Sequence, residues 1–164
     1  MILTIGHSNL ALNEFLGLLK QHGIQTLVDV RSKPYSSYSP HFSKRELSSS
    51  LKDAGIEYQF EGRALGGLDA ISFSDPEFVK AMERVLALQS EGNVALMCAE
   101  KNPRDCHRAS KLTAWLHNTY SQEQVLTAHI TPHEVLDARK FQSLQPHGWS
   151  ELESRSEQLK LDIS

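Results

Sequence analysis

With 164 residues, 40% of them hydrophobic and 23% charged, the chain is sized for one domain whose core needs neither a disulfide nor a metal. That composition excludes a disordered or fibrous design, and no stretch approaches the roughly 18 apolar residues of a membrane span. The net charge of −3 arises beyond residue 120: residues 1–120 carry 13 Lys and Arg against 13 Asp and Glu, and residues 121–164 carry 4 against 7.

In chain order, residues 2–5 (Ile-Leu-Thr-Ile) form a first apolar run, and Leu12, Phe15, Leu16, Leu18 and Leu19 follow at helical spacing up to a stop at Gly23. Residues 26–30 (Thr-Leu-Val-Asp-Val) predict a second strand ending at Arg31, before a loop rich in Ser, Tyr and Pro over residues 32–42. Ser43 with Glu46 makes a capping box for a helix over 44–54 closed by Gly55, and residues 56–60 alternate as a third strand. Residues 61–73, with Gly62, Gly66 and Gly67, predict a long loop. A second capping box, Ser74 with Glu77, and Pro76 open a helix to about Gln89.

Residues 94–98 (Val-Ala-Leu-Met-Cys) are continuously apolar, as a strand covered on both faces is. Asn102, Pro103 and Asp105 signal the next helix, with Asp105 as the alternative start and Ala109, Leu112, Trp115 and Leu116 as its core face. Residues 124–130 predict a fifth strand, and Pro132 starts a helical piece to about Phe141. The expected architecture is a single doubly wound, three-layer α/β domain over 1–145, with a mostly parallel sheet of about five strands. Residues 146–164 form a polar, acidic C-terminal tail.

In such a sheet the loops leaving the strands' carboxyl ends share one edge, where ligands bind. That edge collects residues 6–9, 29–34 and 98–108, hence His7, Ser8, Asp29, Arg31, Pro34, Cys98, Glu100, Cys106, His107 and Arg108. Asp29 and Arg31, two apart on a strand, share one side and could pair with each other or with Arg108 and Glu100. His7 is either a turn histidine bonded to the main chain or a functional one. Tyr35, Tyr38, His41 and Phe42 lie among Lys33, Lys44 and Arg45, a mixture suited to stacking a base and neutralising phosphate, or to a loop packing its own rings.

The spacing from Cys98 to Arg104 resembles the phosphate loop of cysteine-dependent phosphatases, yet Glu100 and the bulky residues 101–103 line an anion cradle poorly. Glu100 opposes sulfur transfer of the rhodanese type as well. Both cysteines are expected as reduced thiols, Cys106 as a buried one on a helix's apolar stripe. The spacing Cys-x7-Cys-His matches no common zinc pattern, so no metal is expected.

Five pieces together, residues 4–8 (Thr-Ile-Gly-His-Ser), Asp29-Val-Arg31 with Pro34, residues 40–42 (Pro-His-Phe), Leu65-Gly-Gly67, and Cys98-Ala-Glu100 with Cys106-His-Arg108, resemble the domain of unknown function 488 (DUF488) family of bacterial and archaeal α/β proteins. Similar proteins often carry an arginine where this chain has Ser37. The resemblance implies the Rossmann-like architecture and the shared polar edge, and no substrate.

The expected function is an enzyme acting on a phosphorylated, nucleotide-like or nucleic-acid substrate at that edge, with no membrane partner; the alternative is a non-catalytic nucleotide or nucleic-acid binding module. Arg31 and Arg108 would hold the anion, helped by Ser8, Pro34 and Tyr38. His7, Asp29, Glu100 and His107 are the acid–base candidates and Cys98 a candidate nucleophile. Residues 1–7 lack a basic segment leading into a long apolar one, so a cytoplasmic location is expected.

Overall fold

The computed structural model describes residues 1–67 and 72–143. Its parallel strands are β1 (Ile2–Gly6), β2 (Ile24–Asp29), β3 (Glu57–Phe60), β4 (Asn93–Cys98) and β5 (Thr127–Ile130). A short sixth strand, β6 (Val135–Asp137), pairs antiparallel with β5, giving the order β3-β2-β4-β1-β5-β6. Parallel neighbours cannot be joined by hairpins. The crossovers are α1 (Leu12–Gln21), α2 (Lys44–Asp53), α4 (Pro76–Leu88) and α5 (Ala114–Thr119), with a four-residue α3 (Gly62–Leu65) after β3 and α6 (Ala138–Ser143) after β6.

Alternation along the strands sends side chains to two separate cores. Ile2, Val28, Val94 and Leu96 pack with Phe78, Met82, Val85 and Trp115 of α4 and α5. Leu3, Ile5, Leu27, Ala95 and Met97 pack with Phe15, Leu19, Leu47 and Leu51 of α1 and α2. The sheet is therefore the middle of three layers. β4 is apolar throughout because it lies between β2 and β1 and is covered on both faces. The chain leaves β1 and β2 toward the α1/α2 face but leaves β4 toward the α5 face. Connections that part in this way open a crevice at the carboxyl edge.

Several sequence expectations are corrected. The sheet has a sixth strand: Val135–Asp137, expected as helix, adds to the β5 edge, and helix begins only at Ala138. The loop expected over 61–73 contains α3, with Leu65 buried. At α4 the cap is Asp75, whose carboxylate accepts from the Glu77 N–H at 2.9 Å, one residue after the predicted Ser74. Ser43 stands at the start of α2 but turns its hydroxyl toward Ser36 instead of the helix. The tail expected over 146–164 lies outside the described residues.

The segment after β4 differs most. Asn102 does cap a turn, accepting from the Arg104 N–H at 3.0 Å, but that turn is a single 3₁₀ turn (Pro103–Asp105). Cys106 then returns to extended backbone, and a π-helical stretch (Arg108–Thr113) precedes α5. Tertiary packing overrode a good local start signal, yet Cys106, on extended backbone, is still buried in the same core cluster as Leu112, Trp115 and Leu116.

Removing Leu96, fully buried in the central strand, leaves a cavity reached from neither solvent nor a flexible segment. Leu96→Ala should cost about 2 to 5 kcal/mol in urea unfolding. Tyr38→Ala, at a ring 99% exposed, should stay within about 0.5 kcal/mol.

Candidate functional site

The crevice is a cleft of about 360 Å³ whose walls come from the exits of β1 (His7), β2 (Arg31 to Ser36) and β4 (Cys98 to Glu100), with Gly67 and residues 105–107 closing it. Gly6 allows this convergence: a Cβ there would overlap the Glu100 carbonyl, so only a bare backbone lets the end of β1 pass beside the loop after β4. His7 N–H and Ser8 N–H donate to the Cys98 and Ala99 carbonyls at 2.9 Å each, stitching the two exits together.

Arg31, Asp29 and His7 form one buried network. Arg31 Nε and Nη2 donate to the two Asp29 oxygens at 2.9 and 2.7 Å, the Arg31 N–H adds a third bond at 3.1 Å, and Nη2 also reaches the Phe42 carbonyl at 2.8 Å. Tyr58 on β3 donates its hydroxyl to Asp29 at 2.8 Å. Burial and then the Asp29 charge push the Tyr58 phenol up. Arg31 Nη1 lies 3.1 Å from His7 Nε2, and His7 Nδ1 lies 2.8 Å from the Ser8 carbonyl. A neutral His7 satisfies both, donating from Nδ1 and accepting at Nε2. Burial first, and the Arg31 charge second, hold its imidazole down at about 4. The ring stacks on Phe42 at 4.4 Å, and Phe42 itself is buried against Phe15.

Arg108 is a different kind of cation. It is fully buried on the α5 side, with Nη1 donating to Cys98 Sγ at 2.9 Å and to the Glu100 carbonyl at 2.6 Å, and Nη2 to the Lys101 carbonyl at 3.2 Å. Among the described residues no carboxylate lies within ion-pair distance of it. Burial lowers its guanidinium to about 10, opposed by attraction to Glu100. Arg108 thus lies beneath the loop that follows β4 and holds it by its carbonyls, while Arg31 lines the cleft.

The other predicted residues separate. Glu100 is exposed on the rim, and Cys98 and His107 line the cleft. Burial lowers the His107 imidazole, opposed by the Leu65 and Val30 backbone. Ser8 sits at the turn with φ of 47°, its N–H bound to the Ala99 carbonyl, and the Pro34 carbonyl accepts from Lys44; neither lines the cleft. Tyr38 points to solvent, and Tyr35, 73% exposed, lines the cleft instead. Lys44 lies over the Phe60 ring, 4.8 Å from its centre, leaving Lys33 as the lysine at the cleft wall. In the loop over 32–42, His41 and Phe42 pack inward while Tyr35 lines the cleft.

Sequence reasoning made Cys98 a site residue and Cys106 a buried core thiol, both reduced. Cys106 is buried as expected, but the structure joins the two sulfur atoms, with Cα atoms 7.6 Å apart, and His107 Nδ1 lies 3.7 Å from Cys106 Sγ. It also missed Tyr58 and Asp105. Only the pairing of Asp29 beside Phe60 brings Tyr58 to the Asp29 carboxylate, and no local pattern encodes that register.

Family comparison fits this arrangement. The sequence matches the family described as domain of unknown function DUF488 over residues 11–73 and 69–116. The chain belongs to that family. No curated protein and no solved structure matches it. The DUF488 match spans the exits of β2 and β4, hence Asp29, Arg31, Cys98 and His107. No helix among the described residues is long and apolar enough to cross a membrane.

The network sets a pH dependence. An unfolded His7 takes its proton near the ordinary 6.5, the native one only near 4. Its contribution is therefore full above about pH 6.5 and is lost as pH falls toward 4, by up to about 1.4 kcal/mol per pH unit. His129, buried and pushed down to about 3, adds a similar slope. Urea midpoints should fall between pH about 7 and about 5, and His7→Gln should remove about one proton's worth of that slope. An unchanged slope would contradict the assignment of a neutral buried His7.

Proposed function

We propose that this chain is a cytoplasmic enzyme that takes a phosphorylated, nucleotide-like substrate, free or at the end of a nucleic acid, into the carboxyl-edge cleft. The observation that carries the reading is one loop presenting three ligand-facing groups to that cleft: Arg31, Lys33 and Tyr35. Asp29 fixes the Arg31 guanidinium by two parallel hydrogen bonds, so an anion meets a cation that is already oriented. Nη1 is the nitrogen not engaged by Asp29. One of its hydrogens faces His7 and the other remains for a phosphate oxygen. Lys33 adds a mobile point charge, and the exposed Tyr35 ring offers a stacking surface for a base.

In this reading Asp29 and His7 position Arg31 and do not themselves carry protons. Glu100 on the rim and His107, a neutral imidazole in the wall, are the groups available for acid–base work, with Cys98 between them as a nucleophile. The same observation favours a second reading. Since the lone pairs of Asp29 and His7 are already engaged by Arg31 and Tyr58, a site that binds a nucleotide and leaves it unchanged needs nothing more.

Calorimetric titration with nucleoside monophosphates and with inorganic phosphate tests both. Binding should weaken steeply with salt. Tyr35→Ala should lower nucleotide affinity by about tenfold or more, consistent with loss of about 1 to 3 kcal/mol of stacking, and leave inorganic phosphate unaffected. Lys33→Ala should weaken both. Chromatography of the incubated nucleotide separates turnover from binding. Absence of any binding at low salt would overturn the reading.

A further inference from the structure

Beside Cys98 and His107, which the phosphate reading offers as nucleophile and acid–base group, the cleft wall holds Cys106, which that reading leaves unused. Cys98 Sγ, Cys106 Sγ and a ring nitrogen of His107 all lie within 4.8 Å of one another. We propose that these three residues form a zinc site with its fourth coordination position open to the cleft. The proposal stands on this geometry and holds whether or not the ligand is a nucleotide.

Four observations carry it. First, the structure joins the two sulfur atoms directly, yet the Cα atoms of Cys98 and Cys106 are 7.6 Å apart, beyond the span of about 6.8 Å that a relaxed disulfide bridges. A metal ion bonded to each sulfur at about 2.3 Å lengthens the link and relieves the mismatch. Second, His107 Nδ1 is 3.7 Å from Cys106 Sγ. Two donors on a tetrahedral zinc ion, at about 2.3 Å for sulfur and about 2.0 Å for nitrogen, are separated by about 3.5 Å.

Third, the surroundings suit a metal-bound thiolate and imidazole. Arg108 Nη1 donates to Cys98 Sγ at 2.9 Å, and a buried cation at that distance favours the ionised sulfur that zinc requires. A Cβ at Gly67 would overlap the His107 ring, so the chain passes it as bare backbone. Fourth, the donor set is selective. Two thiolates and an imidazole take zinc and discriminate against magnesium and calcium, which want oxygen.

Both cysteines are buried, His107 is half-buried, and all three line the cleft. Three protein ligands with an open fourth position is the arrangement of zinc sites that do chemistry, as opposed to the four-ligand arrangement of those that only hold a fold. Binding balances simply: the ion enters as Zn²⁺, the two thiols leave their protons to solvent, and the two thiolates neutralise the dication. The spacing Cys-x7-Cys-His did not suggest this because the extended residue Cys106, and no repeating turn, sets the ligand geometry.

The experiment uses the full chain, reduced with a phosphine, its two thiols counted, and titrated with Co²⁺ under anaerobic conditions. A sulfur-to-cobalt charge-transfer band with tetrahedral ligand-field bands should reach its end point at a single equivalent. Cobalt binding should release the thiol protons, and zinc should then bleach the band by displacing cobalt with no further release. Cys98→Ser and Cys106→Ser should each abolish the band, and His107→Gln should weaken cobalt by about tenfold or more. A wild-type chain with both thiols free and no charge-transfer band would overturn the proposal. So would a band that survives Cys106→Ser, or thiols that the phosphine cannot free. Should Cys98→Ser fail to fold, the wild-type end point and Cys106→Ser still decide.

Discussion

A guanidinium buried without a carboxylate is the constraint around which the rest is arranged. Arg108 is wholly excluded from solvent, and among the described residues its partners are two loop carbonyls and the sulfur of Cys98. Burying a charge costs several kcal/mol unless partners replace the lost water. Three oriented acceptors replace it at Nη1 and Nη2, Nε having no partner among the described residues, and in doing so they fix the loop after β4 at the point where Gly6 lets β1 pass beside it. Every group on that side of the cleft, Cys98, Glu100 and through the Cys98 contact also Cys106, takes its place from this one cation.

Arg31 solves the same problem differently. It is nearly as deeply buried, but Asp29 meets it in a parallel pair and the Phe42 carbonyl accepts a further bond, while the Tyr58 hydroxyl donates to Asp29. A cation neutralised in this way keeps its direction and gives up part of its charge, which suits recognition better than strong attraction. The two guanidiniums thus divide the work by their surroundings: one holds the backbone, the other looks into the cleft through a single nitrogen. His7 joins them, with its main chain bonded to the β4 exit and its ring to Arg31.

How much of this was legible in the sequence follows from the range of the interactions. Alternation and apolar runs placed β1 to β5, since burial on two faces leaves a direct mark on composition. The carboxyl-edge location followed from strand–helix alternation alone. The pairing of Asp29 with Arg31 was open at two residues' separation, and the structure selects it over a bond to Arg108. The failures are cases where a partner distant in sequence decides. β6 forms because β5 presents an unpaired edge, the helix after β4 is delayed by the packing of Cys106, and Tyr58 meets Asp29 only through the β2–β3 register. The two cysteines were assigned separate roles because a helical wheel was applied where the backbone is extended.

The central claim is that the buried Arg108 holds the loop after β4, and with it one wall of the cleft, through the Glu100 and Lys101 carbonyls. Hydrogen exchange at the backbone amides of residues 98–108, followed by peptide mass in the wild type and in Arg108→Met, tests it most directly. The account predicts that the substitution speeds exchange in this segment more than in β2 and β3. Exchange over residues 98–108 that is unchanged in Arg108→Met would contradict it.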